Sequence, residues 1–346
     1  MAVFKKNIII CLGSFFSMLM IVAIITFLID PYQHYRKSVF YKPYSFDSRY
    51  MVWGMIKNYD YDSLLIGSSM TANFRKNYVD SYLNLDILRV PVPGATAYEE
   101  NLIMQKSLRN KKLSTILYGL DLSSFTGKKD RIKRDTLPSY LMNESFIDDL
   151  KYLLNIDVFF RDSLKIFLSN FFDVKKNMID FNTFWNWDYE MSFGSELCIN
   201  DYSNRINSKK KYSYKLSDLI ESFNYNIMPH FESNIDVEFI IFFPPRSILA
   251  WKVLEEQNSL EDILKFKKYI LEQSIKYDNV KVYDFQIAKD VTHNLDNYMD
   301  TNHYSGFINK WIIKQIKNEK YLVSNEDIRP NIDKLRDQVS KYVVKL

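Results

Sequence analysis

From position 7 to 29 the chain runs for 23 residues without a charge, NIIICLGSFFSMLMIVAIITFLI. As a helix that run measures roughly 34 Å, enough to cross a hydrocarbon core of about 30 Å. It is apolar all round, which argues against a helix that buries one stripe against a soluble core. Lys5 and Lys6 precede it and Asp30-Pro31 end it. The run is long for a cleaved signal and no small-residue cleavage site follows, so it reads as an uncleaved signal anchor. Arg36, Lys37 and Lys42 nearly balance Lys5 and Lys6, so charge bias alone does not orient it. A six-residue leading tail joined to a large trailing domain suits a cytoplasmic N-terminus and an extracytoplasmic C-terminus.

After a Tyr- and Lys-rich stretch, residues 30–60, read as a membrane-proximal stalk, the pattern changes to short apolar runs alternating with helical ones. Strands are expected at residues 63–66, 87–90, 115–118, 237–243 and 280–283, each bounded by turn residues. Helices are expected at about 71–82, 98–108 and 259–275, with a closing helix near Tyr304 and a charged amphipathic terminal helix over 325–346. Strands alternating with helices predict an α/β domain with a parallel sheet and helices on both faces. The alternation lapses over about 124–234, a mostly helical insertion with helical signals at 145–154 and 158–171. That insertion carries the aromatic run Phe181-Asn182-Thr183-Phe184-Trp185-Asn186-Trp187, which suits either a lid or substrate wall or a small satellite core.

The expected division is therefore a tail (1–6), an anchor (7–29), the stalk (30–60), an α/β domain (61–322) with its insertion, and a C-terminal amphipathic helix (323–346). The formal net charge of +4 over 346 residues, with no dense basic run, gives nucleic-acid binding no support. With 25 Tyr, 25 Phe and 5 Trp the chain is aromatic-rich. Codon bias plus a large aromatic core accounts for most of these; a sugar-stacking surface is the sharper alternative. Cys11 sits in the apolar run and Cys198 far away in a polar region, so an internal disulfide is not expected. Ile10 before Cys11 also fails the small-residue requirement of a lipoprotein site.

Candidate chemistry collects in loops at the carboxyl ends of the expected strands, where ligands of parallel sheets bind. Gly67-Ser68-Ser69-Met70 follows the first strand, Gly94 the second, and Gly119-Leu120-Asp121-Leu122 the third; Asp300-Thr301-Asn302-His303 precedes the closing helix. Serine becomes a nucleophile when an imidazole takes its proton and a carboxylate orients that imidazole. Ser69, His303 and Asp300 are the candidates for these roles. The Ser69 N–H, at the start of the expected helix and along its dipole, and the Gly94 N–H would face a developing oxyanion. Each residue also has a plain reading: Ser68 and Ser69 as helix caps, Asp300 as a cap of the last helix, Gly94 as a turn residue, His303 as a satisfied loop histidine. Arg246, after Pro244-Pro245, could meet an anionic substrate group but reads more simply as a solvated surface residue.

Taken together, Gly67-Ser68-Ser69, Gly94 and Asp300-x-x-His303 resemble the SGNH/GDSL hydrolase family, over roughly residues 60–320. The likeness is to membrane-anchored, envelope-polysaccharide members, similar to the teichoic acid D-alanine transfer protein and alginate-type O-acetyltransferases. The resemblance implies a nucleophile at Ser69, an oxyanion donor at Gly94, a base at His303 and its partner at Asp300, with no metal and no cofactor. It implies acyl transfer or ester hydrolysis on a cell-envelope or exported polysaccharide, with a multispanning O-acyltransferase as a further candidate partner. One block departs from the family: where Gly-x-Asn-Asp would supply an amide to the oxyanion, this chain has Asp121. An ionised carboxylate there would repel an oxyanion, so Asp121 must be protonated, turned away or differently used. That departure and the aromatic-rich insertion motivate an alternative, a catalytically silent scaffold that holds polysaccharide or docks the acyltransferase. A two-metal phosphodiesterase lacks its His and Asp clusters in the sequence.

Overall fold

In the computed structural model of the protein, residues 2–39, 41–44, 46–133, 137–172, 180, 182–208 and 214–345 are described. The chain divides into two compact units, one made of Met1–Tyr59 and Thr136–Phe184, the other of Asp60–Asp135 and Trp185–Leu346. The 124–234 region is thereby split, its middle clustering with the N-terminal residues.

The first unit is helical. Its N-terminal helix, Ala2–Ile29, starts before the uncharged run and takes in Lys5 and Lys6. Val3–Ile29 is long and apolar enough to cross a membrane, the one such helix among the described residues. Residues 30–60 contain the helix Ser48–Asn58, capped by Asp47 and burying Met51, Val52 and Ile56 completely. Helices Phe146–Leu153 and Leu164–Phe171 match the helical signals, but Val158–Ser163 is wound as a π-helix.

The second unit is α/β. Strands β1 (Ser63–Gly67), β2 (Ile87–Pro91), β3 (Thr115–Gly119), β4 (Glu238–Phe243) and β5 (Val280–Asp284) form one parallel sheet in the order β2-β1-β3-β4-β5. Every residue of β1, β2 and β3 is buried. Successive side chains of a strand point to opposite faces, so unbroken burial means that both faces are covered. The strand order reverses between β1 and β3, which opens a crevice at their carboxyl ends.

Helix boundaries follow local chemistry. Ala97–Asn110 starts at a capping box in which Glu99 N–H bonds Thr96 Oγ1 at 3.2 Å and Thr96 N–H bonds Glu99 Oε2 at 2.9 Å. Leu260–Ser274, Gly306–Lys317 and Ile328–Lys341 occupy the other expected helices, the last shorter than 325–346; Leu346 lies outside the described residues. The helix expected over 71–82 is not continuous. A single 3-10 turn, Ser69–Thr71, is followed by a break, and the α-helix runs only over Lys76–Leu83. In the break the Asn73 side chain accepts the backbone N–H groups of Trp187 (2.9 Å) and Asp188 (3.2 Å), bonds a continuous helix would not offer. The helix Ile248–Glu256 was not anticipated. Ile248, Leu249, Ala250, Trp251, Val253 and Leu254 are buried, and the polar face Lys252, Glu255 and Glu256 is confined to the last turns of a nine-residue helix, too short a period to stand out.

Candidate active site

Gly67 ends β1 with φ +155°, and a Cβ there would lie 2.7 Å from the Gly119 carbonyl oxygen and 2.6 Å from Thr71 Cγ2. Only glycine lets β1 and β3 run this close as the chain turns into Ser68 and Ser69. Thr71 Oγ1 donates to the Ser68 carbonyl at 2.9 Å and tightens the turn. Ser68 is buried, caps the turn through a long 3.4 Å bond from Met70 N–H, and donates to Asp121 Oδ2 at 3.1 Å. Ser69 has a different partner: its Oγ lies 2.8 Å from His303 Nε2.

His303 arrives on a tight loop closed by an antiparallel bridge between Tyr298 and Tyr304. Asp300 Oδ1 accepts the backbone N–H groups of Asn302 and His303, both at 2.7 Å, while Oδ2 lies 2.7 Å from His303 Nδ1. With Nδ1–H donating to the carboxylate, Nε2 keeps its lone pair for the Ser69 hydroxyl proton. Burial would raise the Asp300 pKa, but the hydrogen bond and charge of His303 outweigh it and hold the carboxyl below its ordinary range. Asp300 therefore does not cap the closing helix, which begins after Ser305.

Several positioning residues escaped the sequence reading. Asp201, on the helix Ser195–Asn207, accepts from Thr301 N–H at 2.9 Å and Thr301 Oγ1 at 2.7 Å. Ser247 Oγ donates to the Thr301 carbonyl at 2.7 Å. On the other side, Tyr304 Oη and Asn309 Nδ2 donate to the Met70 carbonyl at 3.1 and 3.3 Å, tying the histidine loop to the serine turn. All of these partners are more than 50 positions distant in sequence from the residue they hold, so no local signal marks them. Within the aromatic run, Phe181 lies outside the described residues; Trp187 sets its ring edge-on to His303, centroids 5.5 Å apart.

Asp121 caps the short 3-10 turn Leu122–Phe125 and accepts from Ser123 N–H (2.9 Å) and Ser123 Oγ (2.7 Å). It also pairs with Arg246, whose side chain is only 14% exposed, so Arg246 is not a solvated surface residue. Burial pushes the Asp121 pKa up; the Arg246 charge and the bonds from Ser123 and Ser68 push it down further, and the net direction is down. Of the three fates expected for Asp121, protonation is thereby removed: it is an ionised carboxylate neutralised by a guanidinium.

Ser69, Gly94, His303, Asp121 and Arg246 line one cavity of about 280 Å³. Gly94, at φ +63°, occupies the left-handed region that favours glycine. Arg131, Lys133 and Arg205 add positive charge to the wall, and Ala250, Val253 and Leu254 supply an apolar side. The segment after Ser69 is one 3-10 turn, too short to bring the helix dipole expected there. Among the described residues no group of three His, Cys, Asp or Glu side chains is arranged to hold a metal ion. Compared with known proteins, the chain matches no family model and no curated protein.

Proposed function

We propose that the protein is a membrane-anchored serine acyltransferase or esterase, acting outside the cytoplasm on a cell-envelope or exported polysaccharide. One observation carries the reading: Ser69 Oγ, His303 and the Asp300 carboxylate stand in line at 2.8 and 2.7 Å, at the mouth of a cavity. The strand order and the loops that bear these residues support the resemblance to SGNH/GDSL hydrolases and a three-layer arrangement of that kind. The apolar helix Val3–Ile29 supports the anchor.

The chemistry follows from the geometry. Ser69 Oγ attacks the ester carbonyl as His303 Nε2 takes its proton, and Asp300 steadies the imidazolium that forms. The tetrahedral oxyanion is met by the N–H groups of Ser69 and Gly94. Arg246 brings positive charge to the same cavity, offsetting Asp121 where the family would have an amide. His303 returns the proton to the departing alkoxide, leaving an acyl group on Ser69. A sugar hydroxyl or water then attacks in the same way, giving transfer or hydrolysis. The cavity suits a short acyl group against Ala250, Val253 and Leu254 and a polar carrier along its cationic wall.

The scaffold alternative drew on Asp121 and on the aromatic-rich insertion; the Arg246 pair answers the first of these, and the second stands. The test is turnover of a small activated ester, p-nitrophenyl acetate, by the full chain in detergent, with and without an oligosaccharide acceptor. A burst of product lost in Ser69→Ala supports the proposal. Turnover unchanged in that variant, or none in the parent, refutes it.

A further inference from the structure

The helical unit carries an unusual surface. Ten large apolar side chains are exposed within residues 146–172, among them Phe146, Ile147, Ile156, Phe160, Phe171 and Phe172. The whole sheet-bearing unit exposes seven among its described residues. Apolar exposure concentrated in so short a segment points to an interaction surface. The question is what covers it.

The N-terminal helix answers by depth. It packs against Phe146–Leu153 and Val158–Ser163, and the face it shelters there is Leu19, Val22, Ala23, Thr26 and Ile29. That face spans eleven residues, roughly 16 Å of helix. If residues 19–29 stood clear of the bilayer, only positions 7–18 of the uncharged run would remain, roughly 18 Å against a hydrocarbon core of about 30 Å. A spanning helix therefore needs residues 19–29 inside the leaflet, and the elements packed on them lie at the same depth.

The attachment is firm. Tyr152 Oη donates to Asp30 Oδ1 at 2.9 Å, and Tyr32 Oη donates to Asp162 Oδ2 at 2.5 Å, all four groups buried. Asp30 also caps the turn after the helix by accepting from His34, Tyr35 and Arg36 N–H groups at 2.9, 2.9 and 3.1 Å. The segment's charged side chains are paired or drawn to aromatic and backbone partners: Lys151 with Asp148 at 2.6 Å, the exposed Arg161 with Asp162 at 3.2 Å, Arg36 with the Leu28 carbonyl at 3.1 Å, and Lys165 Nζ 4.1 Å above the Tyr44 ring. Long cationic side chains snorkelling beside an apolar face are expected at a membrane interface.

We infer that residues 146–172 form a second membrane element, a helical pair embedded in the leaflet where the anchor emerges, with phospholipid acyl chains covering its exposed apolar face. The inference rests on the N-terminal helix spanning the membrane, and the experiment separates the two. The full chain with Cys11→Ser, leaving the buried Cys198, carries one bimane-labelled cysteine in each of five variants: Ile147→Cys, Phe160→Cys, Phe171→Cys, Phe16→Cys and Lys320→Cys. Each is reconstituted in phosphatidylcholine–phosphatidylglycerol nanodiscs with and without doxyl-labelled chains. Expected is quenching at 147, 160 and 171 to the same extent as at 16, and none at 320. Quenching at 16 with none at 147, 160 and 171 overturns the inference while the anchor stands. No quenching at 16 overturns the anchor and the inference with it. Shielding at 147, 160 and 171 that appears only with two copies per disc makes a second copy the occupant and also overturns it.

Discussion

Arg246 and Asp121 form an ion pair in the wall of the cavity, with 14% and 12% of their side chains exposed. The pair explains how a carboxylate can stand beside a site that must stabilise negative charge. Removing only the cation leaves a largely buried carboxylate without its counter-charge. Arg246→Gln should therefore cost about 3 kcal/mol of stability, and Asp121→Asn/Arg246→Gln together should cost less than Arg246→Gln alone. Urea unfolding of the parent, Asp121→Asn, Arg246→Gln and the double variant measures the coupling directly; additive losses would mean that the pair is not a unit.

Asp300 holds both the backbone and the ring of His303, and the two jobs can be separated. Asp300→Asn keeps an acceptor for the backbone N–H groups but presents an amide to Nδ1, favouring the tautomer that carries its proton on Nε2. Thermal stability should change little while acylation of Ser69 slows by about 10³–10⁴. Stopped-flow acylation beside a melting curve checks both halves; equal acylation rates would remove Asp300 from the mechanism.

Tyr304 acts through position alone. Its hydroxyl holds the Met70 carbonyl, next to Ser69. Tyr304→Phe should cost about 1 kcal/mol of stability and slow acylation by about tenfold. The apparent affinity for a small ester should stay constant, because the hydroxyl touches no substrate. A change in affinity without a change in rate would contradict this role.

His230 is buried, bonds Asn101 Oδ1 at 2.7 Å, and burial lowers its pKa from 6.5 to about 4. Between those values the unfolded chain binds the extra proton, so this residue's contribution is intact above pH 6.5 and is lost as pH falls toward 4. His230→Gln should melt closer to the parent at pH 4.5 than at pH 7.5. Thermal scans at the two pH values check it, and a constant difference would mean that His230 titrates normally.

All five strands were legible as short, largely apolar runs, and β1, β2 and β3 are buried on both faces. Ser69 and His303, 234 positions apart, both follow from the chain pattern as loop residues at the carboxyl rim of the sheet, where they meet. What escaped has a common cause. Ile248–Glu256 is nine residues long, with its polar residues only at Lys252, Glu255 and Glu256, so its period is too short to stand out. The helix after Ser69 breaks because Asn73 serves a distant backbone segment. Arg246, Asp201 and Tyr304 act through partners that local pattern does not link to them. The helical unit joins residues 1–59 to 136–184, a pairing that no periodicity announces.

The central claim is that Ser69 is a nucleophile activated by His303, and active-site titration with a fluorophosphonate tests it most directly. The account predicts one phosphonyl group per chain, mapped by mass spectrometry to the peptide bearing Ser69. Labelling should be absent in Ser69→Ala and slowed at least about a hundredfold in His303→Ala. Labelling at another residue, or at the parent rate in either variant, would contradict it.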